Sequence, residues 1–182
     1  MNISTGKQLC SRLVAVAALS LLMCNAANAL QATTTFSVTA TVVSNCTISA
    51  TNLSFGTYNP LSASPNNATG SVTITCTKSA ASTIGMDNGA NFAVTRNMKS
   101  AALDLIAYSI GQPSSNAAGA ACTFPAATPW TTSGAGLLTP VAAPSKAART
   151  YNVCGTIAAG IDVPGSVAGV LYTDTVTAQV NF

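Results

Sequence analysis

The sequence predicts an all-β fold, an immunoglobulin-like sandwich of two packed antiparallel sheets. Three observations support this. Apolar and polar residues alternate along several short runs, which is the period of a strand with one buried face. Glycine, proline and asparagine separate these runs as turn residues do. The one stretch compatible with a helix, residues 100–107, is rich in strand-forming residues and is soon followed by Gly111 and Pro113, so a strand is favoured there too.

Residues 1–29 have the organisation of a secretory signal peptide. Lys7 and Arg12 form its basic start, residues 13–23 form an apolar core, and the Ala-Asn-Ala of residues 27–29 is a small-residue cleavage site. The apolar run is too short to span a membrane comfortably. We therefore expect an exported mature chain, residues 30–182, of single-domain length.

The longest alternating run follows the cleavage site, over residues 30–50. Its even positions are apolar or small, with Thr34 as a polar interruption. A single strand of this length would reach roughly 70 Å at about 3.3 Å per residue, whereas a domain of this size is only about 40 Å across. Either the run bends, or its first part projects and finds its partner in another molecule.

The remaining strands are placed by the same alternation. Residues 61–69 and most of 111–149 are rich in turn residues and predict loops, with short strands near Trp130 and at 137–141. Leu53 and Phe55 alternate with polar neighbours between the first two strands. The expected strands are residues 42–50, 70–76, 82–86, 92–95, 102–110, 150–157 and 170–182.

The last of these strands keeps one face apolar to its final residue. That face carries Tyr172, Val176, Ala178, Val180 and Phe182. A terminal strand with no following hairpin partner can lie at a sheet edge, where unpaired main-chain groups invite pairing with another chain.

Charged side chains are few and nearly balanced. They make up 6% of the sequence, and residues 30–182 keep five basic and four acidic ones. This is not the electrostatic footprint of a nucleic-acid-binding protein. The low charge fits either a protein packed against copies of itself or a secreted domain made soluble by Thr, Ser and Asn.

Residues that carry chemistry are equally scarce. The sequence has no histidine and no glutamate, which excludes histidine-based triads and glutamate acid–base pairs. Its four aspartates are scattered, and Asp87 and Asp162 stand in turn contexts. We therefore expect no enzyme activity, no catalytic residue, no metal site and no cofactor.

Aromatic side chains are the candidates for a sugar-binding platform. Among them Trp130, in a loop after Pro129, is the residue to test for a ligand, although a packing role is favoured. The candidates are Trp130, Tyr58, Tyr108, Tyr151 and Tyr172.

An even number of cysteines after a signal peptide predicts disulfides formed in an oxidising compartment. They are Cys46, Cys76, Cys122 and Cys154. Three pairings are possible. We favour Cys46 with Cys76 and Cys122 with Cys154. These pairs close loops of about 30 residues each, and on the chain-entropy model each would be worth roughly 3–4 kcal/mol.

Several segments together resemble the spore coat protein U domain family. They are NCTIS at 45–49, LSFGTY at 53–58, GSVTITC at 70–76, YNVCGTIAAGIDV at 151–163 and YTDTVTAQVNF at 172–182. The resemblance covers essentially all of residues 30–182, although residues 111–149 match poorly. This family includes secreted coat proteins and the pilin subunits of archaic chaperone–usher pili.

The resemblance implies an incomplete immunoglobulin-like sandwich that lacks its last strand. A periplasmic chaperone lends a strand to the open groove, and at an outer-membrane usher the N-terminal extension of the next subunit replaces it. Here the extension is residues 30–41 and the pilin-like domain is residues 42–182. The implied donor-strand residues are Leu30, Ala32, Thr34, Phe36, Val38 and Ala40. The implied acceptor-groove residues are Val176, Ala178, Val180 and Phe182, and the carboxylate of Phe182 is the implied anchor on the chaperone. Cys46 and Cys76 match the family's disulfide.

Three functions are compatible with this sequence. The first is a structural subunit of a surface pilus that passes through the periplasm, binds neighbouring copies, and serves adhesion and biofilm formation. The second is a sugar-binding or tip-adhesin module. The third is a monomeric secreted coat protein that uses the N-terminal run as its own first strand.

Overall fold

A computed structural model describes residues 30–164 and 169–182. The chain divides into two units, residues 1–40 and residues 41–182. The signal peptide predicted at residues 1–29 lies outside the described residues. In the first unit, residues 30–40 have no secondary structure and every one of them is exposed.

The second unit is built from short strands, with one turn of 3-10 helix at Gly134–Gly136. The described strands are β1 (Cys46–Thr51), β2 (Asn66–Cys76), β3 (Thr83–Met86), β4 (Arg96–Lys99), β5 (Leu105–Gly111), β6 (Arg149–Ile157) and β7 (Ala178–Asn181). Five of them form one sheet in the order β1-β2-β6-β5-β4, and β3 pairs with β7 in a second. All these pairings are antiparallel, and the predicted all-β class is confirmed.

The central strands of the larger sheet have alternating buried and less buried residues. In β2, Val72, Ile74 and Cys76 are buried while the threonines between them are half-buried. The neighbouring β6 places Tyr151 directly opposite Val72. Burying these side chains on one shared face stabilises the pair, because each fully buried aliphatic side chain contributes about 1.5–3 kcal/mol.

The centre of the core comes from a segment predicted to be mostly loop. Trp130 is fully buried, and its indole N–H donates to the carbonyl oxygen of Ile84 at 2.9 Å. Leu138 is also fully buried and forms a two-way main-chain bridge with Ile84. Trp130 therefore has the packing role that the sequence favoured, and residues 137–141 contribute an isolated bridge rather than a strand.

Five strand boundaries differ from the prediction, and the first is that β1 begins at Cys46 rather than at residue 42. Residues 66–69 form the start of β2 rather than a loop, because β6 continues alongside them and the Asn66 side chain donates to the carbonyl oxygen of Phe55 at 3.0 Å. Residues 92–95 form no strand, and Val94 is 91% exposed. The strand lies one step later, in β4, where the buried Arg96 side chain bonds to main-chain carbonyls.

The other two differences concern strand length. The strand predicted at 102–110 begins only at Leu105, because the Ser100 hydroxyl accepts the amide hydrogens of Ala102 and Asp104 and closes a turn. The strand predicted at 170–182 is regular only at Ala178–Asn181. Before it, Thr173 forms an isolated bridge with Lys99, and the carbonyl oxygens of Thr175 and Thr177 accept from the N–H groups of Ala90 and Asp87.

Both favoured disulfides are present. Cys46–Cys76 joins β1 to β2, and Cys122–Cys154 ties the long loop before β6 to that strand. Within the described residues, no helix has the length and apolar character to cross a membrane. The same residues contain no group of three or more His, Cys, Asp or Glu side chains placed to hold a metal ion.

Candidate strand-binding cleft

A cleft of about 840 Å³ opens in the second unit between residues 50–58 and residues 169–178. The inward-facing residues of its two walls are half-buried, and its floor is formed by buried side chains of the core. The floor residues are Val72, Met86, Ile106, Tyr108, Ile110, Val153 and Ile157. The cleft is therefore a gap above the hydrophobic core rather than a pocket on the surface.

The first wall is the extended segment that follows β1. Leu53 and Phe55 point inward while Ser54 between them is exposed. They pack closely on Gly155 of β6, where an added Cβ would lie 2.5 Å from a methyl carbon of Leu53. The Phe55 ring meets Tyr108 edge to face with the ring centres 6.2 Å apart, an arrangement that aromatic pairs prefer.

The second wall is the C-terminal segment, residues 169–178, and its main chain is hydrogen-bonded to neighbouring residues on one side. The odd residues pair outward: Thr173 exchanges two hydrogen bonds with Lys99, and the Thr175 carbonyl oxygen accepts from Ala90. In an antiparallel ladder the intervening residues direct their N–H and C=O groups to the opposite side. Accordingly, Tyr172, Asp174 and Val176 make no main-chain hydrogen bond to any residue that the structure describes.

The first strand also has an open edge. Asn45 accepts a main-chain hydrogen bond from Thr77, so the alternation of the β1–β2 ladder directs the main-chain groups of Ile48 and Ala50 away from β2. β1 and β7 each stand at the end of their sheet in the described chain. Ala50 at the end of β1 lines one side of the cleft, and Asp174 and Val176 line the other. Unused main-chain groups are thus present on both sides and can accept an added strand.

One charged group interrupts the cleft lining. Asp174 is the only charged side chain among the described residues that line it. Its Oδ1 accepts from the main-chain and side-chain N–H groups of Asn91, each at 3.0 Å, and its Oδ2 accepts from the Tyr108 hydroxyl at 2.6 Å. Burial, together with this hydrogen bond, raises the pKa of Tyr108, and burial lowers the pKa of the nearby Arg96.

The comparisons with known proteins agree with this geometry. A family model described as the Spore Coat Protein U domain matches residues 32–179. The chain belongs to the spore coat protein U domain family. No curated protein sequence matches the chain.

This spore coat protein U domain is similar to a chain in a solved structure. It is the crystal structure of the CsuC–CsuE chaperone–tip adhesion subunit pre-assembly complex from archaic chaperone–usher Csu pili of Acinetobacter baumannii. One of its chains is 26% identical, with a TM-score of 0.52, over 78% of this chain and 41% of that one. Our chain therefore spans about two fifths of that chain. This likeness confirms the predicted incomplete immunoglobulin-like fold.

The predicted groove residues take different positions in the spore coat protein U domain. Val176 and Ala178 line the cleft. Val180 packs on the core but does not line the cleft, and Phe182 is 57% exposed. The predicted donor-strand residues lie in the first unit, where Phe36 is 85% exposed. Their assignment as donor and acceptor stays a prediction.

The sequence analysis did not predict the first wall of the cleft or the Asp174 carboxylate that lines it. Leu53 and Phe55 belong to a segment that resembles the family, and their alternation with polar residues is the sequence signal for a cleft wall. The contact between Asp174 and Tyr108 joins residues 66 positions apart, and no spacing rule predicts it.

The hydroxyl of Tyr108 predicts a loss of stability in alkali. Burial raises the pKa of the folded-state Tyr108 above its ordinary value of 10.0. The hydroxyl therefore contributes fully to the free energy of unfolding below pH 10. That contribution is lost as pH rises beyond 10, because there the tyrosine ionises in the unfolded chain but not in the folded one. We expect urea unfolding midpoints to fall less between pH 9 and pH 11 in Tyr108→Phe than in the wild type. Tyr172→Phe, whose hydroxyl bonds to the exposed Pro164 carbonyl, is the control. Equal falls in Tyr108→Phe and wild type would contradict this role.

Proposed function

We propose that this protein is a structural subunit of a bacterial surface pilus, assembled by the chaperone–usher route through donor-strand exchange. Its family and its likeness to a chain of an archaic pilus pre-assembly complex support the proposal. The observation that carries it is the apolar cleft between the open edges of β1 and the C-terminal segment. A domain with such a cleft gains stability from an added strand.

The proposed occupant is the N-terminal extension of another copy. Residues 30–40 are exposed, have no secondary structure and alternate in polarity. They are as long as residues 170–180, and each stretch spans about 36 Å when extended at about 3.3 Å per residue. Their exposed large apolar side chains are Leu30, Phe36 and Val38. Inserted as a strand, the extension would bury one face and bond to the unpaired edges on both sides.

The burial is large enough to hold subunits together. The large inward side chains Leu30, Phe36 and Val38 contribute about 1.5–3 kcal/mol each, and Ala32 and Ala40 add less. The sum is about 10 kcal/mol at most, before the cost of ordering the segment. The added main-chain ladder contributes further. Because the extension of one copy enters the cleft of the next, the contact is heterologous and does not close, so it produces a fibre.

The same cleft explains the partners that a subunit needs before assembly. An open strand edge beside an apolar cleft is prone to aggregation. A periplasmic chaperone would therefore cover it until an outer-membrane usher exchanges the chaperone strand for a donor strand. We assign the exposed Phe182 to the surface that the chaperone contacts. We place the protein in the periplasm during transit and then in a surface pilus that serves adhesion and biofilm formation.

The two other functions have less support. Trp130, Tyr151 and Tyr108, three of the aromatic candidates for a sugar platform, are buried. A monomeric coat protein would have to fill the cleft with its own residues 30–41. Such a protein would stay monomeric at every concentration, which separates it from a pilin.

Deleting residues 30–41 tests the proposal. The processed wild-type chain is expected to form linear polymers visible by negative-stain electron microscopy, and the deletion variant is expected to form none. A synthetic peptide of residues 30–41 should bind the deletion variant and raise its melting temperature, whereas a scrambled peptide of the same composition should not. Fibres from the deletion variant, or a wild-type chain that stays monomeric, would overturn the proposal.

A further inference from the structure

The proposed donor strand and the cleft each carry one polar interruption on an apolar face. On the donor face, Thr34 stands between Ala32 and Phe36. On the inward face of the C-terminal segment, Asp174 stands between Tyr172 and Val176, and all three line the cleft. The two interruptions are therefore flanked in the same way, by apolar or aromatic residues two positions away on either side.

Asp174 needs a further donor once the cleft is covered. Among the described residues, its Oδ1 has two N–H donors from Asn91, but its Oδ2 has the Tyr108 hydroxyl as its one hydrogen-bond donor. Each carboxylate oxygen accepts about two hydrogen bonds. A strand laid over the cleft removes water from this carboxylate, and a buried charge with an unused acceptor is costly. A hydroxyl beside Oδ2 meets that need, and an aliphatic or aromatic side chain does not.

The main chain at this point also suits an incoming strand. The N–H and C=O groups of Asp174 have no main-chain partner among the described residues, and they point into the cleft. A residue paired directly with Asp174 would place its own side chain on the same face, about 5 Å away, where cross-strand pairs interact.

We propose that, when residues 30–41 of one copy fill the cleft of the next, the Thr34 hydroxyl donates a hydrogen bond to the Asp174 carboxylate and fixes the register of the inserted strand. This inference rests on the donor-strand function proposed above. Whichever direction the strand runs, Ala32 and Phe36 then flank the pair beside Tyr172 and Val176.

Other registers place unlike groups together. A shift of two residues puts Phe36 or Ala32 against the carboxylate and Thr34 against an apolar neighbour. A shift of one residue turns the threonine-rich face of the donor toward the core. A single polar pair within an otherwise apolar contact is a known means of setting register.

The test compares polymers of full processed chains with single substitutions at position 34. Thr34→Ser keeps the hydroxyl and is expected to assemble as the wild type does. Thr34→Val keeps the shape but leaves the carboxylate without its donor, so subunit association is expected to weaken about ten- to a hundredfold, as for the loss of a hydrogen bond to a charged group. The readout is the half-life of the polymer in urea, and neither variant alters the acceptor domain.

A second pair of substitutions tests the contact itself. Thr34→Asp places two carboxylates together and is expected to prevent stable assembly. Acceptor chains that carry Asp174→Asn should restore polymers with Thr34→Asp donors, because the asparagine side chain can donate to the new carboxylate. Equal polymer half-lives for Thr34→Val and Thr34→Ser, or a Thr34→Asp defect that persists with folded Asp174→Asn acceptors, would overturn the register assignment.

A third variant separates this inference from the function on which it rests. Normal assembly of Phe36→Asp would refute donor-strand insertion altogether. Loss of assembly in Phe36→Asp together with no difference between Thr34→Val and Thr34→Ser would refute only the role of Thr34.

Discussion

Phe36→Asp is expected to abolish polymer assembly while the subunit domain still folds. In the proposed contact the phenylalanine contributes about 1.5–3 kcal/mol of apolar burial, and an unpaired carboxylate at the same place costs several kcal/mol more. Together these weaken subunit association by more than about a thousandfold. Sedimentation velocity of the processed chain measures the polymer, and urea unfolding measures the domain.

The matched control lies one residue away. Thr35→Asp introduces the same charge into the same segment, but on the opposite face of the donor strand. We expect it to assemble nearly as well as the wild type. If Phe36→Asp instead destabilises the monomeric domain as much as it impairs assembly, Phe36 belongs to the core of its own subunit and the donor assignment is wrong.

Trp130→Ala is expected to lower the free energy of unfolding by about 3–5 kcal/mol, the usual cost of removing a fully buried large aromatic side chain. Trp130 is inaccessible to solvent, and its indole N–H is bonded to the Ile84 carbonyl. Unfolding in urea, followed by circular dichroism, gives the value directly. Phe92→Ala, at an aromatic residue that is 46% exposed, is the control and should cost much less.

The outcome for Trp130 also separates packing from ligand binding. A packing residue loses stability in proportion to the volume removed, so Trp130→Phe should recover a large part of the loss. Unchanged stability in Trp130→Ala would contradict the packing role.

The parts of the fold that sequence predicted best are those in which alternation and burial coincide. Residues 70–76 alternate strictly, and β1 and β6 flank them on both sides, so local pattern and long-range pairing agree. Residues 92–95 alternate as well, but no strand in the described part of the chain pairs with them, and Val94 remains exposed. The nearby β4 is fixed instead by Arg96, which bonds to the carbonyl of Trp130 34 positions away.

Turn-forming residues misled the prediction at the start of β2. Asn66 and Asn67 are typical of loops, yet Asn67 lies opposite Thr156 in the ladder and accepts a hydrogen bond from its hydroxyl at 2.9 Å. A strand partner across the sheet outweighs local turn preference here. Such partners come from distant segments, which a single sequence does not reveal.

The cleft likewise has one part that was predictable from the sequence and one part that was not. The alternating face of the C-terminal segment was predictable from residues 172–180, because half-buried and exposed residues follow the period of two throughout. The polar group within it was not, because Asp174 meets Asn91 and Tyr108 only after three separate segments have come together. That group is the feature from which the register of the donor strand is inferred.

Electron cryo-microscopy of the assembled polymer tests the central claim most directly. We predict that residues 30–40 of one subunit form an extended strand in the cleft of the next, bonded to the edge that contains Asp174 and Val176. A map in which each subunit's cleft is filled by its own residues 30–40, or in which these residues lie outside any cleft, would contradict donor-strand assembly.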